Sequence, residues 1–206
     1  MKVVLINGSP RGKMCTYTAL SAVADELNKN RIETEIINIG TKPIRGCIAC
    51  GKCKDTKRCV FDDDIVNEVI GKMEEADGIV VGTPVYYSSP NGALISLLDR
   101  VFYARGNFAH KPAAAVISAR RAGTTASLDV INKYFMIAHM PIVSSMYWNA
   151  VHGNTPEEVV QDLEGMQTMK LIGRNMAWLL KCINIAKENG LEPPEVEPAI
   201  RMNFIR

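Results

Sequence analysis

At 206 residues, with 47% apolar and 22% charged side chains, the chain has room for one well-buried core, so a single domain over residues 1–206 is expected. A net charge of +2 gives no electrostatic footprint for nucleic acid or an anionic membrane surface. No run approaches the roughly 18 apolar residues of a membrane span, and the opening MKVVLINGSP lacks the apolar core of a signal peptide. A cytoplasmic location is therefore expected, where six cysteines are not structural disulfides.

In chain order, Val3 to Asn7 is a short β-branched run ending in Gly-Ser-Pro, and a helical pattern follows from Thr16 to Asn28. A second strand, Thr34 to Ile39, leads into a long irregular insertion, residues 40–61. Asp62, Asp63 and Asp64 then supply the acids expected at a helix start, with the helix reaching Glu75; a cation site is the other reading of that triplet. Strands at Gly78 to Val81 and Ala113 to Ser118 precede helices at Asn91 to Ala104 and Thr125 to Ala138.

Pro141 to Tyr147 reads as a fifth strand. Thr155-Pro156-Glu157-Glu158 has the order of a helix start, and one long helix is expected to run to Asn189, followed by a tail that packs over the surface or another subunit. Met166, Met169, Ile172, Met176, Leu179 and Leu180 recur on it at helical spacing, as core and subunit contacts do. Five apolar strands alternating with helices imply an α/β fold with a five-stranded parallel sheet covered on both faces.

In such sheets ligands sit beyond the carboxyl ends of the strands, and three of those turns are unusual. Gly8 to Thr16 joins hydroxyls (Ser9, Thr16), a cation (Arg11) and backbone amides at a helix start, which suits a monophosphate. It has neither the dinucleotide nor the Walker pattern, and simple helix capping is the alternative. Thr83 to Gly92 sets Tyr86 and Tyr87 between two prolines, as a flat heteroaromatic ligand requires, unless the rings fill the core or an interface. Ser118 to Gly123 brings Arg120 and Arg121 to the same edge, facing a ligand or solvent.

Cys47, Cys50, Cys53 and Cys59 have the spacing C-x2-C-x2-C-x5-C. Three thiolates from one tight loop and a fourth after a short excursion suit a [4Fe–4S] cluster; tetrahedral zinc and plain reduced thiols are the alternatives. The neighbouring Arg45, Lys52, Lys54, Lys57 and Arg58 would offset a thiolate-bound centre or form a solvated basic loop. Cys15 and Cys182 read as structural, as do the scattered His110, His139 and His152.

The Gly-Ser-Pro-Arg, Thr-Pro-Val-Tyr-Tyr and Arg-Arg-x-Gly loops, in this order over residues 1–150, resemble the FMN-binding loops of the NADPH-dependent FMN reductase family. The cysteine spacing, placed after the second strand, resembles its iron-sulfur flavoprotein branch. The resemblance implies a flavodoxin-like three-layer sandwich in which Ser9, Arg11 and Thr16 hold the FMN phosphate. Pro84, Val85, Tyr86, Tyr87 and Ser88 would line the isoalloxazine and ribityl, and Ala119, Arg120 and Gly123 would close over the ring. Met14 and Cys15 depart from the small polar stretch usual in the first loop.

The resemblance further implies electron transfer from NAD(P)H through FMN and a [4Fe–4S] cluster to a small-molecule or protein acceptor, with no side chain acting as acid or base. It also implies a homodimer or homotetramer that brings the cysteine loop near a neighbour's FMN. The rivals are an FMN-only quinone or aromatic-compound reductase and a non-enzymatic electron carrier or redox sensor.

Overall fold

The computed structural model describes residues 1–206 apart from 105, 199, 201, 203, 205 and 206. Strands β1 (Lys2–Asn7), β2 (Glu33–Asn38), β3 (Gly78–Tyr86), β5 (Ala113–Ala119) and β6 (Ala150–His152) form one parallel sheet in the order β2-β1-β3-β5-β6. The two-residue β4 (Ser89–Pro90) folds back antiparallel on the end of β3. Helices α1 (Cys15–Lys29), α3 (Val66–Glu75), α4 (Gly92–Tyr103), α5 (Thr124–Ile137), α6 (Pro156–Gln161) and α7 (Leu163–Glu188) surround it, and α2 (Cys53–Thr56) is one turn inside the cysteine insertion.

The middles of the central strands are apolar because each face of the sheet carries its own core. Val4, Ile6, Ile79, Val81, Ala115 and Ile117 point one way, into a core with α3, α4 and α5. Val3, Leu5, Val80, Ala114 and Val116 point the other way, against α1 and α7. Successive strand residues face opposite sides, so burial on both sides removes the polar alternation of a half-exposed strand. Full burial of each large apolar side chain contributes about 1.5–3 kcal/mol. On α7, Met169, Ile172, Met176 and Leu180 are buried, with Met166 and Leu179 packed at the margin.

Two elements differ from the sequence reading. The last strand is Ala150–His152, not Pro141 to Tyr147; Ile142 makes a single bridge to Ala113, and the chain then leaves the sheet. Ser145 explains the departure, since its hydroxyl lies 2.8 Å from both Tyr147 O and Asn149 Oδ1 and its single hydrogen serves that pair. Such local side-chain bonds offer the backbone an alternative to a ladder. The expected long C-terminal helix is broken at Asp162, whose carboxylate accepts from Gly165 N at 2.9 Å and His152 N at 2.6 Å. Asp162 thus caps α7 and ties it to the end of β6.

Of the tail, residues 191–198 have no regular structure, and Pro194 O accepts from or faces His110 Nε2 at 3.0 Å. The remainder of that expectation falls largely outside the described residues. Cys182 is half-buried on α7, not in the core, whereas Cys15 is buried at the start of α1 and burial raises its thiol pKa.

Helices α1 and α7 approach closely at Gly173, where a Cβ would lie 2.7 Å from Val23 O. Beside that contact the buried Glu26 accepts from Arg174 Nε at 2.9 Å and Lys29 Nζ at 2.8 Å. Those hydrogen bonds, Arg174 first, lower the Glu26 pKa. A carboxylate with a lowered folded pKa adds stability above its unfolded pKa and loses it as pH falls through the folded value. Both cations are half-exposed or more, so the contribution is small. Glu26→Gln is expected to lower stability at pH 7 by about 1 kcal/mol. The difference from the parent should shrink in urea denaturation as pH falls below the ordinary glutamate range; a constant difference at acid pH would contradict this assignment.

Candidate functional site

Between β1 and β3 the winding direction of the sheet reverses, and crevices at such points take ligands. Gly8 N donates to Gly82 O at 2.8 Å, and a Cβ on Gly8 would fall 2.7 Å from that oxygen, so only glycine lets the two turns close together. Asn91 completes the joint: its Nδ2 donates to Gly8 O at 2.8 Å, while its Oδ1 caps α4 by accepting from Ala93 N.

The first turn is held from beneath by Asn7, fully buried at the end of β1. Its Oδ1 accepts from Ser9 N, and its Nδ2 donates to Gly12 O at 3.0 Å and Asn38 Oδ1 at 2.8 Å. Ser9 Oγ accepts from Arg11 N at 3.3 Å. Met14 precedes helix α1 and gives it no side-chain cap, and the side chain of Arg11 is exposed beside it. A helix start of this kind offers unpartnered N–H groups and positive potential to an anion. The Thr16 hydroxyl lies 2.7 Å from Ser118 Oγ, both buried, so it links the first turn to the end of β5.

In the second turn, Tyr86 pairs with Ser89 and the chain reverses through Tyr87 and Ser88, whose φ values are 50° and 57°. Two left-handed residues between paired strands form a tight hairpin of type I′ geometry. Non-glycine residues held so carry strain of a kind concentrated at functional sites. The hairpin drives the Tyr87 ring fully into solvent, at 105% relative exposure, with Tyr86 partly exposed and Pro84 buried beneath. Gly123 then closes the arrangement: at φ 92° it lies against the hairpin, and a Cβ there would be 2.7 Å from Ser88 Cα and 2.9 Å from Val85 Cγ1. Ala119 is buried at the end of β5, while Arg120 and Arg121 are exposed.

All three turns named from the sequence therefore meet at one edge. Asn7, Asn91 and Ser118, which join them, were not singled out. Asn91 in an Asn-Gly pair before a helix is a capping signal, whereas a polar Asn7 ending an apolar strand reads only as a strand end.

The cysteine insertion folds against the far part of α4. Cys47, Cys50, Cys53 and Cys59 line one open pocket together with Phe61, Arg100 and Tyr103. Asn67 fixes Cys59 by accepting from its N–H at 2.8 Å and donating to its carbonyl at 3.0 Å. Burial, and then the neighbouring thiols, raise the Cys53 pKa. Among the described residues no three Cys, His, Asp or Glu side chains are gathered tightly enough to ligate one ion.

Two of the five loop cations have structural partners. Arg45 pairs with Asp63 at 3.0 Å and lies over Phe61, and Arg58 donates to Asn67 O. Of the acid triplet, Asp64 serves the helix start as expected and has a second use. Helix α3 starts later, at Val66; Asp64 accepts from Val66 N and forms a buried ion pair with Arg100, itself missed in the sequence as an ordinary helix cation. Burial opposes the charge on Arg100, but hydrogen bonds to Asp64 and Cys59 outweigh it and raise its pKa.

The strand order and the convergence of turns at its switch point define a flavodoxin-like protein. Consistent with this, a flavodoxin from the domain Archaea superposes with a TM-score of 0.61 at 15% identity, covering 88% of this chain and 99% of its own. The chain belongs to the NADPH-dependent FMN reductase family, whose model matches residues 1–155, and it is an oxidoreductase of that type. It is 34% identical over 196 residues to an iron-sulfur flavoprotein of Methanocaldococcus jannaschii, covering 89% of this chain and 99% of that one. It is 32% identical over 189 residues to an iron-sulfur flavoprotein of Methanosarcina thermophila, covering 89% and 97%. The flavodoxin-like sandwich expected from the sequence is thereby borne out, with the short β4 added to the five parallel strands.

Proposed function

We propose that this enzyme binds one FMN at the switch-point edge and a 4Fe–4S cluster in the cysteine pocket, and moves electrons from NAD(P)H to a small-molecule or protein acceptor. The observation that carries the reading is the opening of all four thiols into one pocket, on a chain whose three flavin-type turns meet at one edge. Bound FMN supplies hydride acceptance at N5 and one-electron release, and the cluster supplies one-electron storage.

The chain's own groups bind and orient. The uncapped start of α1, with Ser9 and Arg11, suits the FMN phosphate, and Thr16 holds that turn to β5 through Ser118. Pro84, Val85, Tyr86, Tyr87 and Ser88 offer a rigid apolar wall with backbone donors, and Ala119, Arg120 and Gly123 form the opposing lip. The cysteine pocket fits a cluster better than zinc. Three thiolates from one tight C-x2-C-x2-C loop suit corners of a cubane, whereas structural zinc sites more often come as two well-separated C-x2-C pairs.

Arg100 meets Cys59 from a position nine residues along α4 from Asn91, about 14 Å at the helical rise. That separation of the two sites within one chain favours a homo-oligomer in which the cysteine loop faces a neighbour's flavin. Trp178 and Ile185, exposed on α7, supply apolar surface for such contact.

Anaerobic purification followed by a visible spectrum, iron assay and NAD(P)H addition tests the proposal. One FMN and about four irons per chain, with broad absorbance that bleaches on reduction, is the expected result. Flavin bands without iron would leave an FMN-only reductase, a reading favoured by the exposure of Cys47 and Cys50.

A further inference from the structure

We infer that Arg100 is a positioning residue that raises the reduction potential of the cysteine-bound centre through its hydrogen bond to Cys59 Sγ. The inference rests on the cluster reading above. Arg100 is 2% exposed and its guanidinium is engaged on every nitrogen. Nε donates to Cys59 Sγ at 3.2 Å, Nη1 to Arg45 O at 3.3 Å and to Asp64, and Nη2 to Phe61 O at 3.3 Å.

Burying an ion pair is costly, and apolar residues of similar volume often serve stability as well or better. A guanidinium is therefore an expensive way merely to pin a loop. Its geometry makes sense if the sulfur it addresses is an anion, because charge-assisted hydrogen bonds are about twice as strong as neutral ones. Asp64 and the two carbonyls fix the fork so that the single Nε–H is left for Cys59.

The four thiols are not equivalent. Cys47 accepts only from Ala49 N, at 3.4 Å, and Cys53 Sγ lies 3.5 Å from Tyr103 O; among the described residues Cys59 alone receives a charged donor. Adding one electron, with no proton required, makes a thiolate-bound cluster more negative. A fixed cation donating to a ligand sulfur favours that state over the oxidised one, and hydrogen bonds to sulfur are among the determinants of cluster potential. Asp64 works in the opposite direction, screening the guanidinium with its own charge.

The two residues thus give predictions of opposite sign. The full-length protein would be reconstituted anaerobically with iron and sulfide and titrated with dithionite as electron donor, the cluster signal being followed by electron paramagnetic resonance. Arg100→Lys keeps the charge near Asp64 and removes the Nε donor, so the midpoint potential should fall. Asp64→Asn leaves the donor and removes the screening charge, so the potential should rise. Iron content and FMN binding should match the parent in both.

Potentials that are unchanged, or that move in the same direction, would overturn the inference, since loosening of the loop has no reason to reverse sign. Loss of iron with FMN binding intact in both variants would likewise assign Arg100 a purely structural role. A parent protein that takes up no iron would remove the cluster reading itself, a different result from a loaded parent whose potential ignores both substitutions.

Discussion

Gly123→Ala is expected to weaken FMN binding roughly 30- to 100-fold, measured by flavin fluorescence titration. Gly123 has φ 92°, and a new Cβ would lie 2.7 Å from Ser88 Cα, a backbone atom that cannot rotate aside. A left-handed position costs an L-residue about 1–3 kcal/mol, and each 1.4 kcal/mol is tenfold in affinity. Gly123 packs against the hairpin as part of the fold itself, so the substitution should also lower the melting temperature of the apoprotein. Ala122→Gly, at the exposed neighbour, is the control, with an expected change of less than about twofold. Equal affinity in the parent and Gly123→Ala would mean that the Gly123 lip does not close over the ring.

Cys50→Ala should abolish stable iron binding after anaerobic reconstitution and leave FMN affinity within about twofold of the parent. Cys50 lines the cysteine pocket, which is reached from far along α4, while the flavin-type turns begin at that helix's start. Cys182→Ala, on the flank of α7, should leave both iron and FMN unchanged. Iron retained at the parental level in Cys50→Ala would remove that thiol from the ligand set.

The sheet was legible because its strands are apolar without alternation and bounded by glycine and proline turns, a pattern that local sequence carries fully. The last strand was misplaced because the apolar residues of Pro141 to Tyr147 look like strand, while Ser145 bonds locally and leaves Tyr147 and Trp148 exposed. Likewise, nothing in a continuous helical pattern shows that Asp162 bonds to His152 across the chain and interrupts the helix.

At the site, the turns announced themselves by unusual composition, but their convergence depends on contacts between distant residues. Thr16 with Ser118, Asn91 with Gly8 and Gly123 with Ser88 are such contacts. Arg100 was invisible for the same reason: a cation on a helix reads as solvated until Asp64 and Cys59, 36 and 41 residues away, are brought against it.

Titration of the apoprotein with FMN, following flavin fluorescence and melting temperature together, tests most directly whether the three turns form one flavin site. Saturable quenching at one FMN per chain, with a rise in melting temperature that grows with FMN concentration, is the predicted result. Fluorescence and melting temperature that both stay constant at excess FMN would contradict it.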